Sequence, residues 1–121
     1  MGDLSEHFNR SEFSCKCGCG QDTVDAELIR VLEDLRQSLR GAIMINSGCR
    51  CERHNASEGG SPGSQHIRGK AADIVVSGVD ADTVAECLED KYPGKYGIGR
   101  YPGRTHIDVR SGPPARWKIG V

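Results

Sequence analysis

The chain has 121 residues, enough for one hydrophobic core and too few for two. Hydrophobic residues make up 36% and aromatics 5%, beside 16 glycines and 5 prolines, so the core is lean and loops are many. A formal net charge of -1 removes the electrostatic case for nucleic acid, and no apolar run is long enough to span a bilayer. One domain over residues 1–121 is expected, as a monomer, and so lean a core gains from a bound metal or a cross-link. The start, Met1-Gly2-Asp3-Leu4-Ser5-Glu6, has neither a basic nor an apolar signal region, so no signal peptide is visible and cytoplasmic synthesis is expected.

Leu4 to Phe13 has Phe8 and Phe13 as its aromatic anchors, and the N-terminal segment 1–20 is expected to pack on the domain. The cluster Cys15-Lys16-Cys17-Gly18-Cys19 lacks the two-residue spacing of a zinc knuckle. One of its thiols could reach Cys49 or Cys51; a disulfide or buried thiols are preferred, with a second metal site as the alternative. Asp22 is the expected N-cap of a helix over Val24 to Leu39, with Asp25 as its capping-box partner. Leu28, Ile29, Val31, Leu32, Leu35 and Leu39 recur there at helical spacing, and Arg40-Gly41 is a stop signal.

Ala42 to Asn46 reads as a buried strand leading into Ser47-Gly48. Cys51 to Gln65 is polar and rich in Gly, Ser, Asn and Pro, a long loop of the kind that carries function. Ala71 to Val76 is a strand with β-branched Ile74, Val75 and Val76. Asp80 or Asp82 caps a short helix over Val84, Cys87 and Leu88 that stops before Pro93, and Cys87 is a core residue there. Lys95–Tyr101 and Arg104–Arg110 form a hairpin joined at Pro102-Gly103. Trp117 is a late packing anchor.

Chemistry concentrates in three residues: His66 and Asp73, in the run Ser64-Gln65-His66-Ile67-Arg68-Gly69-Lys70-Ala71-Ala72-Asp73, and His106, which opens His106-Ile107-Asp108-Val109-Arg110. Two imidazoles and one carboxylate leave a tetrahedral position open for water, which separates a hydrolytic zinc site from a structural one. His106 and Asp108 alternate onto one strand face, and Gly69 allows the segment bearing His66 to turn back. Each residue alone is more often structural; the combined pattern is specific.

These motifs, with Ser47-Gly48-Cys49-Arg50, resemble the zinc D-Ala-D-Ala carboxypeptidases and dipeptidases, the phage L-Ala-D-Glu endopeptidases and the hedgehog signalling domain, a group that also takes in lysostaphin-type enzymes. The resemblance runs from about Phe8 to Trp117. It implies an α+β fold, a small antiparallel sheet packed by helices. It also implies one zinc ion on His66, Asp73 and a residue of the late strand, with Arg50 facing substrate and stabilising negative charge. Relatives often carry an acid three positions before the last ligand; here that position is Gly103. On a His-x-His register Asp108 would bind the metal. His106 is preferred, because imidazole is a strong zinc ligand and leaves Asp108 free as general base.

The implied activity is zinc-dependent hydrolysis of an amide bond in peptidoglycan stem or cross-bridge peptides next to a D-amino acid, of carboxypeptidase or endopeptidase type. Asp108 and Arg50 are the expected catalytic residues, with Arg50, Ser64 and His54 touching substrate and Ser64 and Gln65 orienting His66. Peptidoglycan peptides are the expected partners, with no nucleic acid and no membrane insertion. A phage-encoded enzyme released to the wall or carried on a virion fits the start of the chain, as does a cellular one. The alternative is a non-catalytic zinc-containing binding module of a phage tail or wall assembly.

Overall fold

A computed structural model describes residues 2–60 and 63–120, so Ser61 and Pro62 of the expected loop lie outside the described residues. After a short 3-10 turn at Arg10–Phe13, helix α1 spans Ala26–Leu39, followed by strand β1 (Ile43–Ser47) and helix α2 (Glu52–Ser57). Strand β2 (Ala71–Val76), helix α3 (Ala81–Lys91), and strands β3 (Gly97–Tyr101), β4 (Arg104–Asp108) and β5 (Ala115–Lys118) complete the order. The expected α+β architecture is present. Its sheet has the order β1-β2-β4-β3-β5 and is mixed rather than wholly antiparallel, because β5 runs parallel to β3.

Helix α1 begins one turn later than the acid pattern predicts. Asp25 is the N-cap, its side chain accepting from the Glu27 amide, whereas the Asp22 carbonyl accepts from Arg10 instead. The helix ends on Arg40 in a left-handed conformation. Leu28, Leu32 and Leu35 of α1 and Val84, Ala85 and Leu88 of α3 form one core with Ile45, Ile74, Ile98 and Ile107 of the sheet. Phe8 and Phe13 join that core at 1% exposure each. The chain between Cys51 and Gln65 is not wholly loop: it winds into α2 on the Cys51 cap.

Side-chain alternation assigns the two sheet faces different work. Ala72, Ile74, Ile98 and Ile107 face the helices. One row across the sheet, Ser47, Asp73, His106, Gly99 and Trp117, runs from β1 to β5 in register. The adjacent row on the same face is Ala71, Asp108, Gly97 and Ala115. Polar and small residues on that face leave room for a site.

Candidate metal centre

His66, Asp73 and His106 converge: one donor atom of each lies within 4.8 Å of the others. Asp73 and His106 are direct cross-strand partners, so the sheet register alone brings their side chains together. His66 arrives on the turn before β2. Its amide donates to Ser64 Oγ at 3.2 Å, its carbonyl accepts from the Arg50 amide at 3.0 Å, and Gly69 closes the turn at φ +70. A side chain at Gly69 would meet the Thr23 carbonyl oxygen at 2.5 Å, so the close approach as well as the torsion requires glycine.

Two hydrogen bonds select the imidazole tautomers. His66 Nδ1 lies 2.8 Å from the Gly48 carbonyl oxygen, which can only accept, so the proton sits on Nδ1 and the Nε2 lone pair is free. That Nε2 is 3.5 Å from Asp73 Oδ1. His106 is turned the other way: Nε2 faces Asp108 Oδ2 at 2.7 Å, leaving Nδ1 3.2 Å from the same Asp73 oxygen. Two free nitrogen lone pairs and a carboxylate oxygen thus aim at one point, the donor set that suits a zinc ion. All three residues are buried, yet each contributes to the wall of a cleft of about 450 Å³.

Burial would raise the Asp73 carboxyl, but in the metal-free protein hydrogen bonds and positive charge from the His106 and His66 side, which a bound cation would replace, outweigh it and hold Asp73 well below the usual carboxylate range. Arg50 adds a third partner. Its Nη2 is 3.3 Å from Asp73 Oδ2, Nε donates to Ser47 Oγ at 3.1 Å, and Nη1 donates to Asn55 Oδ1 at 3.2 Å. This fork fixes the guanidinium in the cleft wall beside the convergence point.

Asp108 is placed differently from the general base that the sequence suggests. It has no exposed surface and lies behind His106, outside the residues that line the cleft. Its oxygens accept from the Gly97 amide at 3.1 Å and from Arg110 Nε and Nη2 at 2.8 Å each, in addition to facing His106. Burial would raise its pKa, but Arg110 and His106 keep it well below the carboxylate range. An acid so enclosed is placed to orient the imidazole. His54 also departs from expectation: it sits on α2, away from the cleft lining, whereas Ser64 and Gln65 do line it.

Some cleft residues escaped the sequence reading. Trp117 of β5 packs over His106 with ring centroids 4.9 Å apart, and its Nε1 donates to Tyr101 Oη at 2.9 Å. Gly99 makes this possible, since a Cβ there would lie 2.5 Å from the Trp117 ring. Arg110 lies between the Asp108 carboxylate and the Trp117 face, 5.6 Å from the ring centroid. The alternation of His106, Asp108 and Arg110 could have flagged Arg110; nothing local marks Trp117. Glu58, at the end of α2, is the other carboxylate on the cleft wall among the described residues.

An α+β domain with a buried two-histidine, one-aspartate centre opening onto an arginine-flanked cleft has the build of a metallopeptidase. The sequence pattern of the Peptidase M15 family matches residues 6–108, and the chain belongs to that family. It is also similar to a protein described as a probable peptidoglycan L,D-endopeptidase MepK from Haemophilus influenzae, at 38% identity over 66 residues. The match covers 54% of this chain and 34% of that protein, so the chain spans about a third of the relative's length. Among the described residues, no helix is long and apolar enough to cross a membrane.

Proposed function

We propose that the chain is a zinc-dependent peptidase that hydrolyses an amide bond in peptidoglycan stem or cross-bridge peptides next to a D-amino acid. The observation that carries this reading is the pair of tautomer-fixing hydrogen bonds, which turn His66 Nε2 and His106 Nδ1 onto Asp73 at the cleft wall. Zinc held by these three residues would supply a Lewis acid and a water of lowered pKa. Arg50, locked by Ser47 and Asn55 in the cleft wall, would stabilise the negative charge that grows on the carbonyl oxygen during attack. Asp108 keeps His106 in the binding tautomer. The proton-accepting role passes to Glu58, which shares the cleft with Arg50 and the three donors.

The substrate class rests on the family and on the relative described as a peptidoglycan endopeptidase. Arg50, Arg104 and Arg110 on the cleft wall suit a peptide bearing carboxylates, which stem peptides do. Ser64 and Gln65 flank the same space as hydrogen-bonding groups for the peptide backbone. The domain, from its N-terminal segment to β5, acts as one unit on this substrate.

The test is digestion of purified peptidoglycan, followed by mass analysis of the released muropeptides with and without a chelator. Cleavage beside a D-residue that stops with chelator and returns with zinc is the expected result. Zinc-loaded protein that binds the wall and releases no new amine would instead make the domain a binding module.

A further inference from the structure

We propose that Cys15, Cys17, Cys19 and Cys51 form a second, structural metal site, a tetrathiolate centre suited to zinc that ties the N-terminal segment to the turn carrying Arg50. Their four sulfurs lie within 4.8 Å of one another. The Cys15–Cys17, Cys15–Cys51 and Cys17–Cys51 sulfur separations are 3.4, 3.8 and 3.6 Å. Tetrahedral coordination at about 2.3 Å places sulfurs about 3.8 Å apart, whereas a disulfide needs about 2.05 Å. No disulfide joins the six cysteines; of the preferred pair of readings, a disulfide or buried thiols, Cys15 and Cys49 are buried free thiols, while Cys17 and Cys19 are exposed. A disulfide also joins sulfurs in pairs, and three nearly equidistant sulfurs with a fourth beside them surround a common centre instead.

The backbone is arranged for charged sulfur. The Cys51 amide donates to Cys15 Sγ at 3.4 Å, and the His54 amide donates to Cys51 Sγ at the same distance. Gly18, at φ +83, lets the chain reverse so that alternate cysteines share one side, and its amide donates to the Cys15 carbonyl at 3.2 Å. The motif Cys-x-Cys-x-Cys thus needs no knuckle spacing, because its fourth ligand comes from the cap of α2. Cys17 and Cys19 are exposed, where free thiols would be open to oxidation and a shared metal protects them. Cys49 stays outside the set, its sulfur accepting from Gln21 Nε2 at 3.4 Å.

Loading transfers the four thiol protons to solvent and changes no oxidation state. The ligand Cys51 adjoins Arg50 and caps the helix that carries Asn55 and leads into Glu58, so the cluster braces that flank of the cleft. The site is independent of the peptidase reading.

Cobalt(II) titrated into the reduced, metal-free full chain tests it. The expected result is an intense thiolate-to-cobalt charge-transfer absorption that zinc then displaces. The same absorption should appear in a His66→Ala/Asp73→Ala variant and vanish in Cys17→Ser/Cys19→Ser, whose exposed positions tolerate the change. Cobalt bound by the wild type without charge-transfer absorption would overturn the proposal. So would protein purified without reductant that is two hydrogens lighter and carries no metal at these cysteines.

Discussion

Replacing Asp108 with Asn separates an orienting role from a chemical one. The carboxylate accepts from the Gly97 amide and the Arg110 guanidinium while facing His106 Nε2 at 2.7 Å. An amide offers one oxygen for all of these donors. If its nitrogen faces His106, Nε2 must become the acceptor and the imidazole proton moves to Nδ1, the atom 3.2 Å from Asp73. If its nitrogen faces Arg110, two donors oppose each other and a charge-assisted bond worth about 1.5–3 kcal/mol is lost. The first case turns the metal-facing lone pair into an N–H; the second keeps it but loosens the group that orients the ring. Loss of such an outer partner lowers metal affinity about 10–100-fold, or about 1.4–2.7 kcal/mol. Competitive zinc titration against a chromophoric chelator, on a variant whose circular dichroism and thermal melt show it folded, measures this directly. Affinity within twofold of wild type, together with a collapsed kcat, would refute the reasoning and return Asp108 to the reacting atoms.

Glu58→Gln should show the reverse pattern: zinc affinity unchanged and kcat down about 100-fold or more, the range for a lost general base. A variant with unaltered kcat removes Glu58 from the chemistry. His66→Ala should abolish zinc binding at the peptidase site and all hydrolysis, and metal analysis showing no loss of zinc from that donor set would strike His66 from it. Gly99→Ala sets a methyl against Trp117, 2.5 Å from its ring; overpacking of this kind costs about 1–3 kcal/mol and should lower the midpoint of chemical denaturation. A Gly99→Ala protein as stable as wild type would mean that Trp117 does not seat on Gly99. Asp25→Ala removes the α1 cap, at a cost of about 1 kcal/mol, and a half-buried ion pair with Lys70 that solvent still screens. Hydrogen bonding to Lys70 lowers the Asp25 pKa in the fold, against burial, so its contribution is present above the unfolded carboxylate range and fades as pH falls through the lowered value. Urea melts of wild type and variant should therefore converge in acid, and a gap that persists there would contradict the assignment.

The convergence of His66, Asp73 and His106 could be read from the sequence because strand alternation and the Gly69 turn are local signals that survive without tertiary knowledge. β2 lies where the β-branched run places it, and α1 follows its leucine spacing to Leu39. What stayed hidden depends on distant partners. Asp22 and Asp25 are equally good caps by type, and the choice falls to Asp25 because the Lys70 ammonium and the Gly69 carbonyl meet it from across the fold. Residues 52–57 carry too few apolar positions to announce a helix, yet Cys51 starts one. β5 has four residues and exists because β3 offers an unpaired edge. Asp108 could be placed on the right face, but only the packed structure shows that Arg110 and Gly97 enclose it.

The single parallel pairing in the sheet has a consequence for assembly. Trp117 reaches His106 only after the chain has left β4, crossed the sheet edge and returned alongside β3, so the imidazole is synthesised before the ring that shelters it. Until that last ribbon docks, one wall of the cleft is open to water. Shelter of this imidazole thus waits on closure of the fold's final edge.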